Sequence, residues 1–320
     1  MKRFVSSITL AISFLSFVSG EKEKSFQVFL LAGQSNMQGQ GVVDMDHPKY
    51  YNDGKGTLVR VMKESKSPGI YKHLKDKSGK WVERGDAFIR HRNKQGVMAG
   101  GVSIGFTGYG SMNSRHHIGP ELQIGHRLGD HFEEPVLLIK TAWGGKSIYK
   151  DFRPPSAGGE TGEYYQSMLR EIDEALKNYQ EEFPSLKGMK PNWGGFIWFQ
   201  GWNDMFNQDA LAQYEENLVH LIKDLRAHLN HPNLPVVVGE LGNMGEDAGT
   251  NMKLIREAQR KACQRKEWKG RVSFVKTTNF ARPKEESPNV GHGHHWFGNA
   301  ESYFLIGDSL GKEMVRLLQN

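Results

Sequence analysis

The sequence predicts a three-layer α/β/α sandwich around a parallel sheet of about five strands. Five short runs are dense in Val, Ile, Leu and Phe without polar alternation, which suits strands buried on both faces: 26–32, 135–141, 194–200, 234–241 and 271–277. Helical patterns follow between and after these runs: 121–132, 163–179, 211–229, 250–265 and 300–318. Strands and helices that alternate with right-handed crossovers give a sheet covered by helices on both sides.

The helical segments carry the spacing that a buried helix face requires. Pro120 precedes the first one, and proline is favoured in the first turn of a helix. In the segment 163–179, the apolar side chains form one stripe, made of Tyr165, Met168, Leu169, Ile172 and Leu176. The segment 211–229 repeats this pattern. Both therefore pack one face on the sheet.

The first twenty residues have the layout of a secretory signal peptide. Lys2 and Arg3 give a positive start, 4–18 is apolar and uncharged, and small residues follow up to Gly20. We expect cleavage there, a mature protein that is secreted or periplasmic, and no stable membrane insertion afterwards. An uncleaved N-terminal anchor is the alternative.

The remainder, 21–320, contains no repeat, low-complexity tract or linker that would indicate a second domain. The stretch 38–119 is a long excursion rich in Gly, Lys and Asp between the first strand and the next helix. Since structureless loops of that length are uncommon in compact domains, we expect it to hold small hairpins of its own.

Composition excludes several classes of function. The 320 residues are 38% hydrophobic and 24% charged, as in ordinary globular enzymes. The net charge of +6 comes from Lys and Arg scattered among acids, which does not indicate a nucleic-acid partner. Cys263 is the only cysteine, so no intrachain disulfide forms, and without a partner motif we expect a buried or inert thiol. Oligomeric state is left open.

Chemically useful residues follow the strands at the edge where the active site of a parallel sheet forms. Ser35 lies between a glycine turn and a helix start, which exposes a hydroxyl and backbone N–H groups. Gly144 and Gly145 follow the second strand and allow close approach of a ligand to the backbone. After the third strand, the Gln200 amide could donate to an oxyanion, and Asp204 could accept from an imidazole.

Each of these segments also has a simpler interpretation. Ser and Asn often cap helices, and Gly, Asn and Asp often form turns. The three histidines of 292–295 could suggest a metal site, but no HExxH motif, cysteine pair or acidic cluster accompanies them. We therefore predict no catalytic metal and no organic cofactor.

Taken together, the motifs resemble those of a known enzyme family. GQSNM, GPEL, TAWGG, WFQGWND and a late HxFGNA-like pattern occur in order over the mature chain. This combination resembles the sialate O-acetylesterase-like SGNH hydrolases, which include carbohydrate esterase family six acetylxylan esterases. The resemblance implies a flavodoxin-like sheet and a serine esterase.

The resemblance also implies roles for matching residues. Ser35 corresponds to the nucleophile, and His295, directly before Trp-Phe-Gly, to the general base. The oxyanion hole is implied to consist of Ser35 N–H, Gly144 or Gly145, and Gln200. Neighbouring side chains are expected to contact the sugar, the tryptophans by stacking on its C–H faces: Gln34, Asn36, Trp143, Trp202, Asn203 and Trp296, with Tyr149 as a further aromatic.

Two positions depart from the family pattern and leave the triad acid open. Many SGNH enzymes have an aspartate three residues before the histidine, where this chain has His292. Trp202 stands where the QGE version of the third motif has an acid. Asp204 is the predicted acid, Glu240 is the second choice, and a Ser–His dyad oriented by a backbone carbonyl is the third possibility.

The predicted function is removal of O-acetyl groups from an oligo- or polysaccharide through an acyl-enzyme. Two alternatives remain at this point. One is a carbohydrate-binding homologue that has lost turnover, and the other is a lipase- or thioesterase-type SGNH hydrolase. The polar, glycine-rich excursion argues against a large acyl pocket.

Overall fold

A seven-stranded sheet lies at the centre of the computed structural model, which describes residues 23–108 and 114–319. Its strands, in chain order, are β1 (Ser25–Gly33), β3 (Ala87–Asn93), β4 (Gly96–Gly101), β6 (Val136–Ala142), β7 (Lys190–Phe199), β8 (Val236–Gly239) and β9 (Val272–Val275). Two short strands, β2 (Gly41–Val42) and β5 (His117–Ile118), form a separate antiparallel pair. In the large sheet the strand order is β4-β3-β6-β1-β7-β8-β9.

The five predicted strands correspond to β1, β6, β7, β8 and β9, and all their pairings are parallel. Numbered along the chain, these five strands run 2-1-3-4-5 across the sheet, which is the flavodoxin-like order. The three-layer parallel architecture is therefore confirmed. The order reverses at β1, and ligands bind in such sheets where the order reverses, beyond the carboxyl ends of the strands.

Helices cover both faces of the sheet. The helices are α1 (Ser35–Gln38), α2 (Pro48–Tyr51), α3 (Leu58–Glu64), α4 (Glu121–His131), α5 (Glu163–Glu182), α6 (Gln208–His228), α7 (Thr250–Cys263) and α8 (Ala300–Leu318). The apolar faces of α5, α6 and α7 pack on one side, and α4 and α8 pack on the other. Strand β1 serves both cores alternately: Leu30 faces the first core, and Leu31 faces the second.

The excursion explains why the sheet is wider than the predicted five strands. As expected, its described part holds a hairpin, in which β3 and β4 pair antiparallel. Strand β3 also pairs parallel with β6, so the hairpin extends the main sheet instead of forming a separate unit. The prediction did not locate this hairpin or join it to the main sheet, because β3 reads AFIRHRN, in which Arg90, His91 and Arg92 interrupt the apolar run.

Two smaller expectations have different outcomes. The signal peptide predicted for 1–20 lies outside the described residues. Cys263 is buried in the first core, as expected, and burial raises the pKa of its thiol. Among the residues that the structure describes, no helix combines the length and the apolar character needed to span a bilayer.

Candidate active site

The Ser35 turn directly follows the central strand β1. Gly33, the last residue of β1, has a φ of 153°, and a Cβ at this position would lie 2.1 Å from the Phe199 carbonyl oxygen. Only glycine fits there, which is why the chain can turn tightly between β1 and α1. Ser35 is the first residue of α1, so its backbone N–H has no acceptor within the helix. The residue is 5% exposed.

The glycine loop after β6 lies beside this turn. Trp143 N donates to the Gly33 carbonyl oxygen at 3.2 Å, which ties the two loops together. Gly144 and Gly145 are exposed, and Gly145 has a φ of 72°. Their N–H groups donate to no acceptor within the described part of the chain. The loop therefore carries exposed backbone donors and is tied to the Ser35 turn through Trp143 and Gly33.

The structure reassigns Gln200. Its Nε2 lies 3.0 Å from the Lys146 carbonyl oxygen, 3.2 Å from Gln34 Oε1 and 2.5 Å from Asp204 Oδ2. Its Oε1 accepts from the Tyr214 hydroxyl at 3.0 Å. With both ends of this buried amide engaged, Gln200 has no hydrogen left for an oxyanion. The predicted oxyanion role of Gln200 is therefore wrong for this arrangement.

Asn203 occupies the position that Gln200 was expected to fill. This half-buried side chain accepts from Gln34 Nε2 at 2.9 Å and donates to the Gly145 carbonyl oxygen at 3.0 Å. The second hydrogen of its amide has no acceptor among the described residues. The sequence position of Asn203 could have indicated this difference. Asn203 lies beyond the Gly201 turn, whereas Gln200 lies before it, at the buried end of β7.

Gln34 is a structural bridge, not a substrate contact. It is buried, and its Oε1 accepts from the backbone N–H groups of Gly201 at 3.1 Å and Asn203 at 3.3 Å. Together with the bond from its Nε2 to Asn203, these contacts engage both ends of the amide. The prediction that Gln34 binds sugar is therefore corrected, because the side chain joins the loop after β1 to the loop after β7.

Asp204 braces a loop and does not orient the histidine. Its carboxylate is fully buried and accepts from the backbone N–H of Ile148 at 3.1 Å, from that of Tyr149 at 3.0 Å and from Gln200. Burial raises its pKa to about 6, although these hydrogen bonds act in the opposite direction. The predicted role of Asp204 as triad acid is not supported, since both oxygens hold the loop after β6 in place.

Glu240, the second choice for the acid, is also engaged elsewhere. Its Oε2 accepts from Thr277 N at 2.8 Å, from Thr278 N at 2.8 Å and from the Thr278 hydroxyl at 2.6 Å. These bonds connect the ends of β8 and β9. Neither candidate carboxylate is hydrogen-bonded to His295.

Hydrogen bonds join the Ser35 helix to the histidine loop. Asn36, next to Ser35 and buried, donates through Nδ2 to Asn243 Oδ1 at 3.2 Å and accepts from the Tyr303 hydroxyl at 3.3 Å. Asn243 Nδ2 in turn donates to the carbonyl oxygens of Gly293 at 3.3 Å and His294 at 3.0 Å. The Tyr303 hydroxyl also lies 3.4 Å from the His295 carbonyl oxygen. Asn36 is thus a connector, and the prediction that it contacts substrate is corrected.

His295 is half-buried in a polar and aromatic environment. Its Nε2 lies 3.4 Å from Gln40 Nε2, and its ring centroid lies 4.0 Å from that of His294 and 6.2 Å from that of His292. Burial lowers its pKa to about 3, and the two neighbouring histidines act in the same direction. The imidazole is therefore neutral at ordinary pH, as a proton acceptor must be.

The chain directly after His295 adopts a backbone conformation that L-residues avoid. Trp296 and Phe297 have φ values of 54° and 53°, in the left-handed region, at a cost of roughly 1–2 kcal/mol each. The turn is closed by bonds from His295 N at 2.9 Å and Phe297 N at 3.0 Å to the His292 carbonyl oxygen. Strain of this kind persists only where the surroundings enforce it, and it is concentrated at functional sites.

The aromatic residues separate into buried and accessible ones. Trp296 is 2% exposed and belongs to the second core, so its predicted contact with substrate is wrong. Trp143 packs against Tyr164 with ring centroids 5.3 Å apart, and the Tyr149 ring lies under the Arg153 guanidinium. Trp202 is half-buried, with its ring centroid 5.8 Å from that of His294. Among the predicted tryptophans, Trp202 is therefore the half-buried one whose ring contacts a histidine of this loop in the described part of the chain.

A buried ion pair under the Ser35 helix was not anticipated from the sequence. Lys140 Nζ donates to Glu121 Oε2 at 2.8 Å, to the Gln38 carbonyl oxygen at 2.7 Å and to the Phe106 carbonyl oxygen at 2.7 Å. Glu121 Oε1 accepts from Gly119 N at 2.8 Å. The side chains are 0% and 1% exposed. The available signal was Glu121 in the GPEL motif, together with a lysine inside an otherwise apolar strand.

The site contains no arrangement suited to a metal in the part of the chain that the structure describes, where no three His, Cys, Asp or Glu side chains converge suitably. What the geometry offers is a serine at the start of a helix, exposed backbone donors and a half-buried amide beside it, and a neutral imidazole on an adjoining loop. Together with the flavodoxin-like sheet, this arrangement defines an SGNH-like α/β hydrolase.

Comparison with known proteins identifies the family. The family model described as "Carbohydrate esterase, sialic acid-specific acetylesterase" matches residues 25–316. The chain therefore belongs to this family of carbohydrate acetylesterases.

Individual relatives are distant. A "probable carbohydrate esterase" of Arabidopsis thaliana is 25% identical over 237 residues, which are 73% of this chain and 74% of that protein. The crystal structure of an Arabidopsis thaliana protein has a TM-score of 0.57 at 17% identity and covers 91% of this chain and 98% of its own. A carbohydrate acetylesterase from Xanthomonas citri has a TM-score of 0.50 at 17% identity, covering 89% of this chain and 56% of its own. At these identities the structural likeness supports the fold.

Proposed function

We propose that this protein is an exported serine esterase that removes O-acetyl groups from carbohydrate, with Ser35 as nucleophile and His295 as general base. The observation that carries the proposal is the hydrogen-bonded bridge from Asn36 through Asn243 and Tyr303 to the histidine loop. This bridge couples two segments about 260 residues apart in the chain and holds them at the same edge of the sheet, at the point where the strand order reverses.

In the proposed reaction, Ser35 Oγ attacks the acetyl carbonyl carbon while His295 accepts the hydroxyl proton. The resulting oxyanion receives hydrogen bonds from Ser35 N–H, from Gly144 or Gly145 N–H, and from the Asn203 amide in place of Gln200. Each such donor typically lowers the barrier by about 3 kcal/mol. The C–O bond to the sugar then breaks, and His295 returns the proton to the departing sugar hydroxyl. Water, deprotonated by the same imidazole, hydrolyses the acetyl-serine ester.

The proposal assigns no triad role to Asp204 or Glu240. Their oxygens already accept several hydrogen bonds each from other loops. His295 is instead held by its Gln40 contact and by the strained turn that follows it.

The test is hydrolysis of p-nitrophenyl acetate and release of acetate from acetylated polysaccharides. We expect Ser35→Ala to lower kcat by at least about 10³-fold and His295→Ala to do the same. Far-UV circular dichroism and thermal melting provide the folding control. Undiminished turnover in a folded Ser35→Ala protein would contradict the proposal.

One observation favours a second candidate, a carbohydrate-binding homologue that has lost turnover. Both carboxylates considered for the triad lie in other networks. Acetate release, combined with electrophoresis in gels containing acetylated polysaccharide, separates the candidates. A binding protein would be retarded in such gels, but the unmodified chain would release no acetate.

Export depends on the signal peptide proposed for residues 1–20. Expression of the full chain in a secreting host should yield a mature protein that begins near Glu21 in the periplasm or medium. N-terminal sequencing of the exported protein measures this directly. Retention of residues 1–20 on a membrane-bound protein would favour the uncleaved anchor instead.

A further inference from the structure

An exposed phenylalanine lies at the end of a row of rings that begins at the catalytic histidine. The His294 ring centroid lies 4.0 Å from that of His295, that of Trp202 lies 5.8 Å from His294, and that of Phe206 lies 6.1 Å from Trp202. Phe206 is 70% exposed, the highest value among the exposed large hydrophobic side chains of the described residues. Since 70% of it is open to solvent, at least one face of the ring is available to a ligand.

We propose that Trp202 and Phe206 form a sugar-binding platform for the residue next to the acetylated one, so that the preferred substrate is an oligo- or polysaccharide and not a monosaccharide. This inference rests on the proposed function, because it takes Ser35 and His295 as the point where the acetyl group binds. Phe206 is separated from His295 by two intervening rings and therefore lies beyond the sugar that carries the acetyl group.

Hydrogen bonds hold the turn that carries Phe206 at three places along the chain. Before it, the buried Asp204 carboxylate accepts from two backbone N–H groups of the loop after β6. Within it, Asn251 Nδ2 donates to the Met205 carbonyl oxygen at 2.9 Å. After it, the Asn207 side chain accepts from Ala210 N at 2.9 Å and caps α6. An exposed aromatic ring on a fixed turn loses little conformational freedom on binding, which is the property of a preorganised site.

The chemistry of the platform suits a sugar ring. Aromatic faces pack well on apolar surfaces such as the C–H faces of a sugar ring. The two rings meet at an interplanar angle of 64°, so they form a corner instead of a flat strip. A ligand in this corner would touch both rings and continue directly toward His294. Membership in a family of carbohydrate acetylesterases makes a sugar the occupant that fits.

The experiment compares substrates of increasing length in variants of one residue. Acetate release from O-acetylated xylose, xylobiose and xylotetraose is measured next to hydrolysis of p-nitrophenyl acetate. We expect Phe206→Ala to lower the ratio of kcat/KM for the tetraose to that for p-nitrophenyl acetate about tenfold, mainly through KM. Phe206→Trp should restore the ratio, whereas Phe206→Leu should not. Ile70→Ala, which removes another exposed apolar side chain, is the matched control and should leave the ratio unchanged.

A second measurement does not depend on turnover or on the xylose backbone. Ser35→Ala and Ser35→Ala/Phe206→Ala are run in gels containing acetylated xylan, acetylated glucomannan or acetylated pectin. The single variant should be retarded in at least one gel, and the double variant should lose that retardation. Absence of retardation in all three gels would overturn the platform.

The outcomes distinguish the two proposals. Turnover that survives in Ser35→Ala refutes the proposed function. Normal dependence on Ser35 together with a tetraose preference that Phe206→Ala leaves intact refutes only the platform. The remaining possible occupant of the platform is a second copy of the chain. Light scattering during size-exclusion chromatography tests for it. A dimer that Phe206→Ala converts to a monomer would show that this ring binds a second copy of the chain, which also overturns the proposal.

Discussion

The two halves of the candidate site are held in different ways. On the serine side, buried side chains fix the backbone: Gln34 and Asn36 are each engaged at both ends of their amides, and Lys140 with Glu121 supports the last turn of α1. On the histidine side, His295 lies on a half-buried loop held through backbone carbonyl groups and followed by two residues in the left-handed region. Buried polar contacts therefore fix the proposed nucleophile, whereas an enforced, strained turn fixes the proposed base.

The largest expected effect is on the serine side. Lys140→Met leaves the Glu121 carboxylate buried without its cation, and it should lower the free energy of unfolding by about 3–5 kcal/mol. Urea denaturation measures the loss. Adding Glu121→Gln should recover part of it, because the unpaired charge is then removed. The control is Lys190→Met, whose exposed pair with Glu23 should contribute no more than about 1 kcal/mol. Equal losses for Lys140 and Lys190 would show that burial of the first pair has no energetic consequence.

The second effect concerns the connection between the two sides. Asn243→Ala removes the bonds to Asn36, Gly293 and His294 and should lower kcat/KM about 100-fold, since small displacements of catalytic groups are costly. The accompanying stability loss should be about 1–3 kcal/mol. Tyr179→Phe removes a comparable bond to the Met189 carbonyl oxygen far from the site and should leave kcat/KM unchanged. Similar kinetics in both variants would mean that Asn243 does not position the histidine loop.

The third effect is on pH dependence. An imidazole with an ordinary pKa of 6.5 would lose about tenfold in kcat/KM between neutral pH and pH 5.5. Because the pKa of His295 is lowered to about 3, we expect less than a twofold loss over that range. His294→Ala removes a neighbour that acts to lower this pKa and opens the pocket, so its acid limb should move upward toward 6.5. A wild-type limb already near 6.5 would contradict the assigned environment of His295.

The free energy of unfolding should also depend on pH, because other buried histidines have lowered pKa values. Burial lowers the pKa values of His91 and His126 to about 3, so below pH 6.5 the unfolded chain binds protons that the folded chain does not. Asp204 acts in the opposite direction, because its raised pKa stabilises the folded state as the pH falls from about 6 to below 4. Since the histidine shifts are larger and more numerous, the net free energy of unfolding should decrease as the pH falls from 6.5 toward 4, as urea titrations at each pH would measure.

The smallest expected effect tests the strain on the histidine side. Phe297→Gly relieves a positive φ worth roughly 1–2 kcal/mol but removes a half-buried ring, so stability should change by no more than about 1 kcal/mol. Phe132→Gly removes a comparable half-buried ring at a φ of −96°, where there is no strain to relieve, and should cost at least about 2 kcal/mol. Equal losses in thermal or urea unfolding would mean that the turn after His295 stores no strain.

The fold could be predicted because the sequence shows both the apolar runs of buried strands and the apolar stripes of amphipathic helices. Apolar runs identified β1, β6, β7, β8 and β9, and helical stripes identified α5 and α6. The sequence did not locate strands β3 and β4 within the excursion, because Arg90 and Arg92 interrupt the apolar pattern. These arginines pair with Glu171 and Glu174 on α5, a distant part of the chain. The sequence around the two arginines does not show that carboxylates about 80 residues later neutralise their charges.

The sequence predicted which segments form the candidate site better than it predicted the role of each side chain. The segments around Ser35, Gly144 and Asn203 meet at one edge of the sheet, because parallel strands place their carboxyl ends together. Roles failed where the direction of a side chain decides them. Gln200, Asp204 and Gln34 have suitable chemistry, but their polar atoms point into the protein and bond to one another. Residue type and spacing do not encode that direction.

The contacts of the Tyr303 hydroxyl bear on when, as the chain is made and folds, the two halves of the candidate site become fully connected. This hydroxyl lies in α8, the last helix, yet it reaches back to Asn36 beside the nucleophile and to the carbonyl of His295. A nascent chain that has emerged only as far as residue 298 already carries the serine, the imidazole and the Asn243 link between their segments, but it lacks the second link through Tyr303. Docking of α8 therefore completes the connection between the two segments, although all the proposed reacting groups lie before this helix.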